Sequence, residues 1–62
     1  MKRKDLIKKL TDNGWWLFRH GGGHDIYTNG GLEQSIPRHT EVKEYLAKQI
    51  LKEAGIPYRS ER

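Results

Sequence analysis

The sequence predicts a small α+β domain of order α-β-β-β-α, with two helices on one face of a three-stranded antiparallel sheet. Three observations carry that expectation. Apolar residues recur at helical spacing near both ends of the chain, and three short strand-like runs separated by glycine turns fill the middle. The 62 residues leave room for one small core, since a chain of this size buries only about 60% of the surface that its unfolded form exposes. Short connections then favour a meander with both helices packed against the same side.

The first helix is expected over residues 3–12. Leu6, Ile7 and Leu10 fall within one apolar sector, with Arg3 at its edge laying its stem on the core and turning its guanidinium outward. Lys4 and Lys8 line one flank, Lys2 and Lys9 the other. Asn13-Gly14 ends the helix, with glycine suited to the left-handed position after the last turn. Trp15 to His20 reads as a strand with aromatics on both faces, one of which belongs to the core. Gly21-Gly22-Gly23 makes the turn into a second strand, His24 to Thr28. Asn29-Gly30-Gly31 predicts a hairpin turn with positive φ at both central residues. Leu32 to Ile36 alternates apolar and polar as a third strand, closed by Pro37.

Thr40 is a candidate N-cap for the second helix, with Glu41 in its first turn. Val42, Leu46, Ala47, Ile50, Leu51 and Ala54 form its apolar face, Tyr45 projects on the polar side, and Gly55 with Pro57 stops it. A single domain over 1–57 is expected, followed by a mobile tail over 58–62.

Composition narrows the function classes. The chain holds no cysteine, which removes disulfide staples and thiolate zinc sites and fits a cytoplasmic setting. It is too short for a two-domain enzyme or a dinucleotide-binding fold. Neither a membrane-spanning run nor the apolar stretch of a signal peptide is apparent. Mean hydropathy is −0.95, yet six aromatics and regular apolar spacing favour a folded chain over a disordered one. Twelve Lys and Arg against eight Asp and Glu give +4, a balance suited to a polyanion such as nucleic acid.

His24 is the chief candidate for chemistry. An imidazole exchanges protons near neutral pH, and three neighbouring glycines let a phosphodiester approach closely. A surface histidine beside an ordinary glycine turn accounts for the same spacing. Arg19, across that turn, is suited to stabilising phosphate charge, and equally to being a solvated strand residue. Gly22 and Gly23 are turn material first and a phosphate cradle second. Lys4, Lys8, Arg38 and Lys43 are candidates for tracking a phosphate backbone. His20, His24, His39 and Asp25 do not form a metal set, because the His-x₃-His spacing has metal geometry on a helix and not across a glycine turn. Trp16, Phe18 and Tyr45 are the aromatics left over once the core is filled, available to RNA bases or a protein partner.

One ordered set of features resembles a known family. Leu6 and Leu10 on a short helix are followed by Gly14-Trp15, then Arg19-x-x-Gly22-x-His24, then Ile26-Tyr27. Ile36-Pro37-Arg38-His39 and a closing helix ending Leu51-Lys52-Glu53-Ala54-Gly55-Ile56 complete the set. Together they resemble the HicA toxins, mRNA interferases of type II toxin-antitoxin systems. The resemblance implies a double-stranded-RNA-binding-like α-β-β-β-α fold. It also implies endoribonuclease activity on mRNA without a metal or other cofactor, His24 as the catalytic residue, and a HicB-like antitoxin partner; the basic charge adds the expectation that this partner is acidic and covers the site near His24 and the helix-1 lysines. The family often carries Ser where this chain has Gly23. Two other classes stay open on the residues alone: a non-catalytic RNA-binding module and a protein-interaction domain.

Overall fold

A computed structural model describes residues 1–57 of the chain; the tail expected over 58–62 lies outside the described residues. The element order is α1 (Arg3–Asp12), β1 (Trp16–His20), β2 (His24–Thr28), β3 (Glu33–Pro37) and α2 (Glu44–Glu53), with the sheet an antiparallel meander ordered β1-β2-β3. This is the α-β-β-β-α order read from the sequence.

Both helices end in the same way, for a reason visible in the residues. After α1, Gly14 takes φ +87, its N–H donates to the Thr11 carbonyl at 3.2 Å, and the Trp15 N–H donates to the Leu10 carbonyl at 3.1 Å. After α2, Gly55 takes φ +75 and bonds Lys52 at 3.1 Å, while Ile56 bonds Leu51 at 2.9 Å. Each is a Schellman motif, in which a left-handed glycine turns the chain and the next apolar residue packs back on the last helical turn. Leu10, Trp15, Leu51 and Ile56 all belong to the core.

The sheet register decides which side chains meet the helices. Asp25 pairs with Ile36 and Tyr27 with Gln34 on β3, while His20 pairs with Asp25 and Leu17 with Tyr27 on β1. Opposed residues share a face, and alternate residues along a strand do too. One face therefore carries Leu17, His20, Asp25, Tyr27, Gln34 and Ile36. Tyr27 and Ile36 join Leu6, Leu10, Ala47, Ile50 and Leu51 in a single cluster, so both helices pack on this side. The other face, which has no helix, carries Trp16, Arg19, His24, Ile26, Thr28, Ser35 and Pro37.

Five local expectations need correction. The second helix begins at Glu44 and not after Thr40: its N-cap is Lys43, with no side-chain cap. Residues 40–42 instead run extended beside the N-terminus, with Arg3 N–H to the Thr40 carbonyl at 2.8 Å and Val42 N–H to the Met1 carbonyl at 2.8 Å. Backbone pairing across about 40 residues displaces the first helical turn, yet Val42 still reaches the core.

The Asn29-Gly30 turn has positive φ only at Gly30. The Asn29 side chain accepts from the Gly31 and Leu32 N–H groups at 2.9 and 2.7 Å, and these bonds fold the four-residue loop without a left-handed asparagine. The third strand runs Glu33–Pro37, leaving Leu32 exposed in that loop.

In the first strand only Trp15, just before it, is buried; Trp16 to His20 are all exposed. The sheet contributes core residues from β2 and β3, so the helices sit over those strands, and β1 is an edge bent by a bulge between Leu17 and Arg19. Finally, the Arg3 guanidinium turns inward rather than out. Its Nε donates to the Pro37 carbonyl at 2.9 Å and its Nη2 to Asp25.

Candidate functional site

One end of the sheet collects the chemistry. Here β1 ends at His20, β2 starts at His24, β3 ends at Pro37 opposite His24, and α1 begins over them through Arg3. The glycine turn closes with the Gly21 N–H donating to the His24 carbonyl at 2.7 Å. Gly23 alone of its three glycines has positive φ, +76. Nothing stands within 4 Å of a Cβ built on Gly22 or Gly23, so the turn is open to an approaching group.

His24 is exposed on the helix-free face. Its Nδ1 lies 3.3 Å from the Gly22 carbonyl oxygen; since a carbonyl only accepts, this contact is a hydrogen bond in the tautomer that carries its hydrogen on Nδ1. In the neutral ring Nε2 is then left with a free lone pair. Arg19 pairs with Ile26, two residues along β2, and is therefore diagonal to His24 on the same face. Its guanidinium has no partner among the described residues. Trp16, 50% exposed, lies farther along this face, its ring edge 3.6 Å from a Cβ built on Gly30.

Behind the turn, on the helix side, Asp25 is buried. A buried carboxylate demands partners, and it has three: His20 Nδ1 at 2.7 Å, Arg38 Nε at 3.0 Å and Arg3 Nη2. The His20 hydrogen bond first and Arg38 after it hold its carboxyl below its ordinary value, against the opposing effect of burial. Arg38 also donates through Nη2 to the Gly21 carbonyl at 2.9 Å and the His24 carbonyl at 3.4 Å. The Asp25–Arg38 pair thus braces the backbone that presents His24.

The sequence-predicted residues separate accordingly. His24, Arg19, Gly22 and Gly23 come together around the open side of the turn, and Lys4 and Arg38 come together at its flank, lining a common cleft. Lys8 lies a turn further along α1, with its ammonium 3.2 Å from Asp12. The sequence reading missed Asp25 and Arg3. The signal was a carboxylate at a helix-facing position of the central strand, which has to be neutralised from elsewhere in the chain. No three His, Asp or Glu side chains among the described residues group as metal ligands would. No helix among them is long and apolar enough to cross a membrane.

The geometry is that of a small basic α+β domain presenting a solvent-facing His24 on a braced glycine turn. A family model described as the HicA toxin of bacterial toxin-antitoxin systems matches residues 3–56, and the chain belongs to that family. No match was found among curated proteins or solved structures. Membership makes it a toxin-antitoxin protein with an antitoxin partner.

Proposed function

We propose that this toxin is a metal-independent endoribonuclease that cleaves mRNA in the cytoplasm and is neutralised by a HicB-like antitoxin. The observation that carries the reading is the exposed His24 ring on an open glycine turn. With a hydrogen on Nδ1 shared with the Gly22 carbonyl, Nε2 of the exposed ring is left to accept a proton. Nε2 takes the proton of a ribose 2′-hydroxyl, the 2′-oxygen attacks the adjacent phosphorus, and the bond to the 5′-oxygen breaks, the departing oxygen taking a proton from solvent water. RNA supplies its own nucleophile, so a 62-residue chain needs no deep pocket. Arg19 balances the added negative charge on the phosphoryl oxygens, and the open backbone at Gly22 and Gly23 admits the phosphate. Lys4, Lys8 and Arg38 lie on the side of phosphates flanking the scissile bond.

The antitoxin offers an acidic surface that covers His24 and the α1 lysines. Complementary charge speeds its capture, and the exposed Trp16, Leu17 and Phe18 on the β1 edge provide apolar contact beside it.

The test is cleavage of a labelled single-stranded RNA by purified toxin with a chelator present. The expected products are a 2′,3′-cyclic phosphate and a 5′-hydroxyl, with no cleavage of the matching DNA. His24→Ala is expected to keep the fold and lose cleavage. Retention of RNA without cleavage by the wild type would identify a non-catalytic binding module instead, and equal cleavage of DNA would exclude attack by the 2′-hydroxyl.

A further inference from the structure

A cleft of about 390 Å³ opens at the α1 end of the sheet, lined by Lys2, Arg3 and Lys4 from one segment and by Arg38 and Thr40 from another. Four of these five residues are cationic. We infer that this cleft is a second phosphate-binding subsite, which holds an RNA backbone phosphate beside the His24 turn and contributes to affinity, not to the chemical step. The inference deepens the ribonuclease reading and rests on it for the identity of the strand.

Three observations support it. First, the positive charge is only partly compensated. Asp25 is the carboxylate that pairs with the cleft, through Arg3 and Arg38. Asp5, next to Lys4 in the chain, makes no ion pair with either lysine among the described residues, and Glu41 and Glu44 are held by the Met1 ammonium at 3.1 and 3.2 Å. The ammonium groups of Lys2 and Lys4 have no partner among the described residues, and both residues are exposed.

Second, the walls are rigid. Asp25 and the Pro37 carbonyl fix Arg3, and Asp25 and the Gly21 carbonyl fix Arg38. A ligand therefore meets a preformed charge pattern.

Third, the cleft is joined to the turn, since Arg38 bonds the carbonyls of Gly21 and His24. A strand engaged at His24, on the helix-free face, reaches the cleft by passing around this end of the sheet. Both arginine forks are engaged by Asp25 and backbone carbonyls, so the freely reachable cations are lysine point charges. These suit a phosphate oxygen approached from any side better than a carboxylate that demands two parallel bonds. The chemistry favours a nucleic-acid backbone over an acidic peptide.

The test measures binding apart from cleavage. A fluorescein-labelled single-stranded RNA decamer is titrated by anisotropy into the His24→Ala protein over 50 to 300 mM salt, with and without Lys2→Ala and Lys4→Ala together. Each single-strand phosphate contact contributes about 0.7 to the slope of log K against log salt, so the double change is expected to lower the slope by about 1.4. Lys52→Ala, at the far end of α2, is expected to leave it unaltered. Circular dichroism melts confirm that each variant is folded. An unchanged slope in the double variant overturns the subsite. So does an unchanged slope accompanied by lost binding of an acidic protein partner, which would assign the cleft to that partner. A lysine-dependent slope supports the subsite even if the wild-type toxin cleaves no RNA, in which case the catalytic reading fails and the cleft stands.

Discussion

Arg38 Nε donates to the Asp25 carboxylate at 3.0 Å while Nη2 of the same guanidinium donates to the Gly21 carbonyl at 2.9 Å. One side chain therefore joins a buried charge to the turn that presents His24. Its charge alone would serve a phosphate, but its fork geometry serves the turn.

That distinction gives the first prediction. Arg38→Lys keeps the charge and loses the two-nitrogen geometry. Misplacement of a reacting group by about 1 Å costs up to roughly 100-fold in rate. Single-turnover cleavage is expected to fall by about 10- to 100-fold while RNA affinity, read by anisotropy, changes less than about threefold. A large affinity loss with an intact rate would show that Arg38 serves the phosphate and not the turn.

The Asp25 carboxyl yields a pH dependence with a definite sign. Its value in the folded protein lies below the ordinary 3.8, chiefly through the His20 hydrogen bond. A carboxylate depressed by folding adds stability above its unfolded pKa, and that stability is lost as pH falls through the folded value. Thermal melts between pH 7 and pH 2 are expected to show an acid limb below about pH 4. In Asp25→Asn the neutral-pH stability should drop and that limb should flatten. An acid limb of unchanged steepness would place the titration elsewhere.

The two helix-ending glycines should act alike and independently. A side chain in the left-handed region costs roughly 1–2 kcal/mol, and distant sites add. Gly14→Ala and Gly55→Ala are each expected to lower Tm by about 4–8 °C per kcal/mol lost, with the double variant near the sum. Gly22→Ala, where φ is not positive and the space is open, is expected to leave Tm within a few degrees, about 0.5 kcal/mol or less.

The core has little reserve. Leu10 is fully buried and its carbonyl caps the end of α1. Leu10→Ala is expected to cost about 2–5 kcal/mol, against a total of roughly 3–5 kcal/mol for a domain below 70–80 residues. The variant should be largely unfolded at 37 °C by circular dichroism. A native-like melt would mean that the cavity collapses or that other contacts carry more of the stability.

Much of this protein was legible in its residues because the signals are local. The span of α1, the glycine after each helix, the exposed Trp16, Phe18 and Tyr45, and the nearness of Arg19 to His24 across a glycine turn follow from periodicity and backbone chemistry within a few positions. The start of α2 was not legible, because Thr40 and Glu41 carry good N-terminal helix chemistry and are claimed by pairing with residues 1–3. Nor was the inward turn of Arg3, which depends on a carboxylate 22 positions away.

By itself, then, the sequence determined the order of elements, the places where the chain turns, the basic balance, and the family, since each is written in residue types at short spacing. Only the tertiary structure decided that His24 faces away from the helices, that Asp25 faces toward them, and that Arg3 and Arg38 converge on it. Those outcomes depend on strand register, where a shift of one residue exchanges the faces, and on hydrogen bonds between segments distant in the chain. No local pattern encodes either.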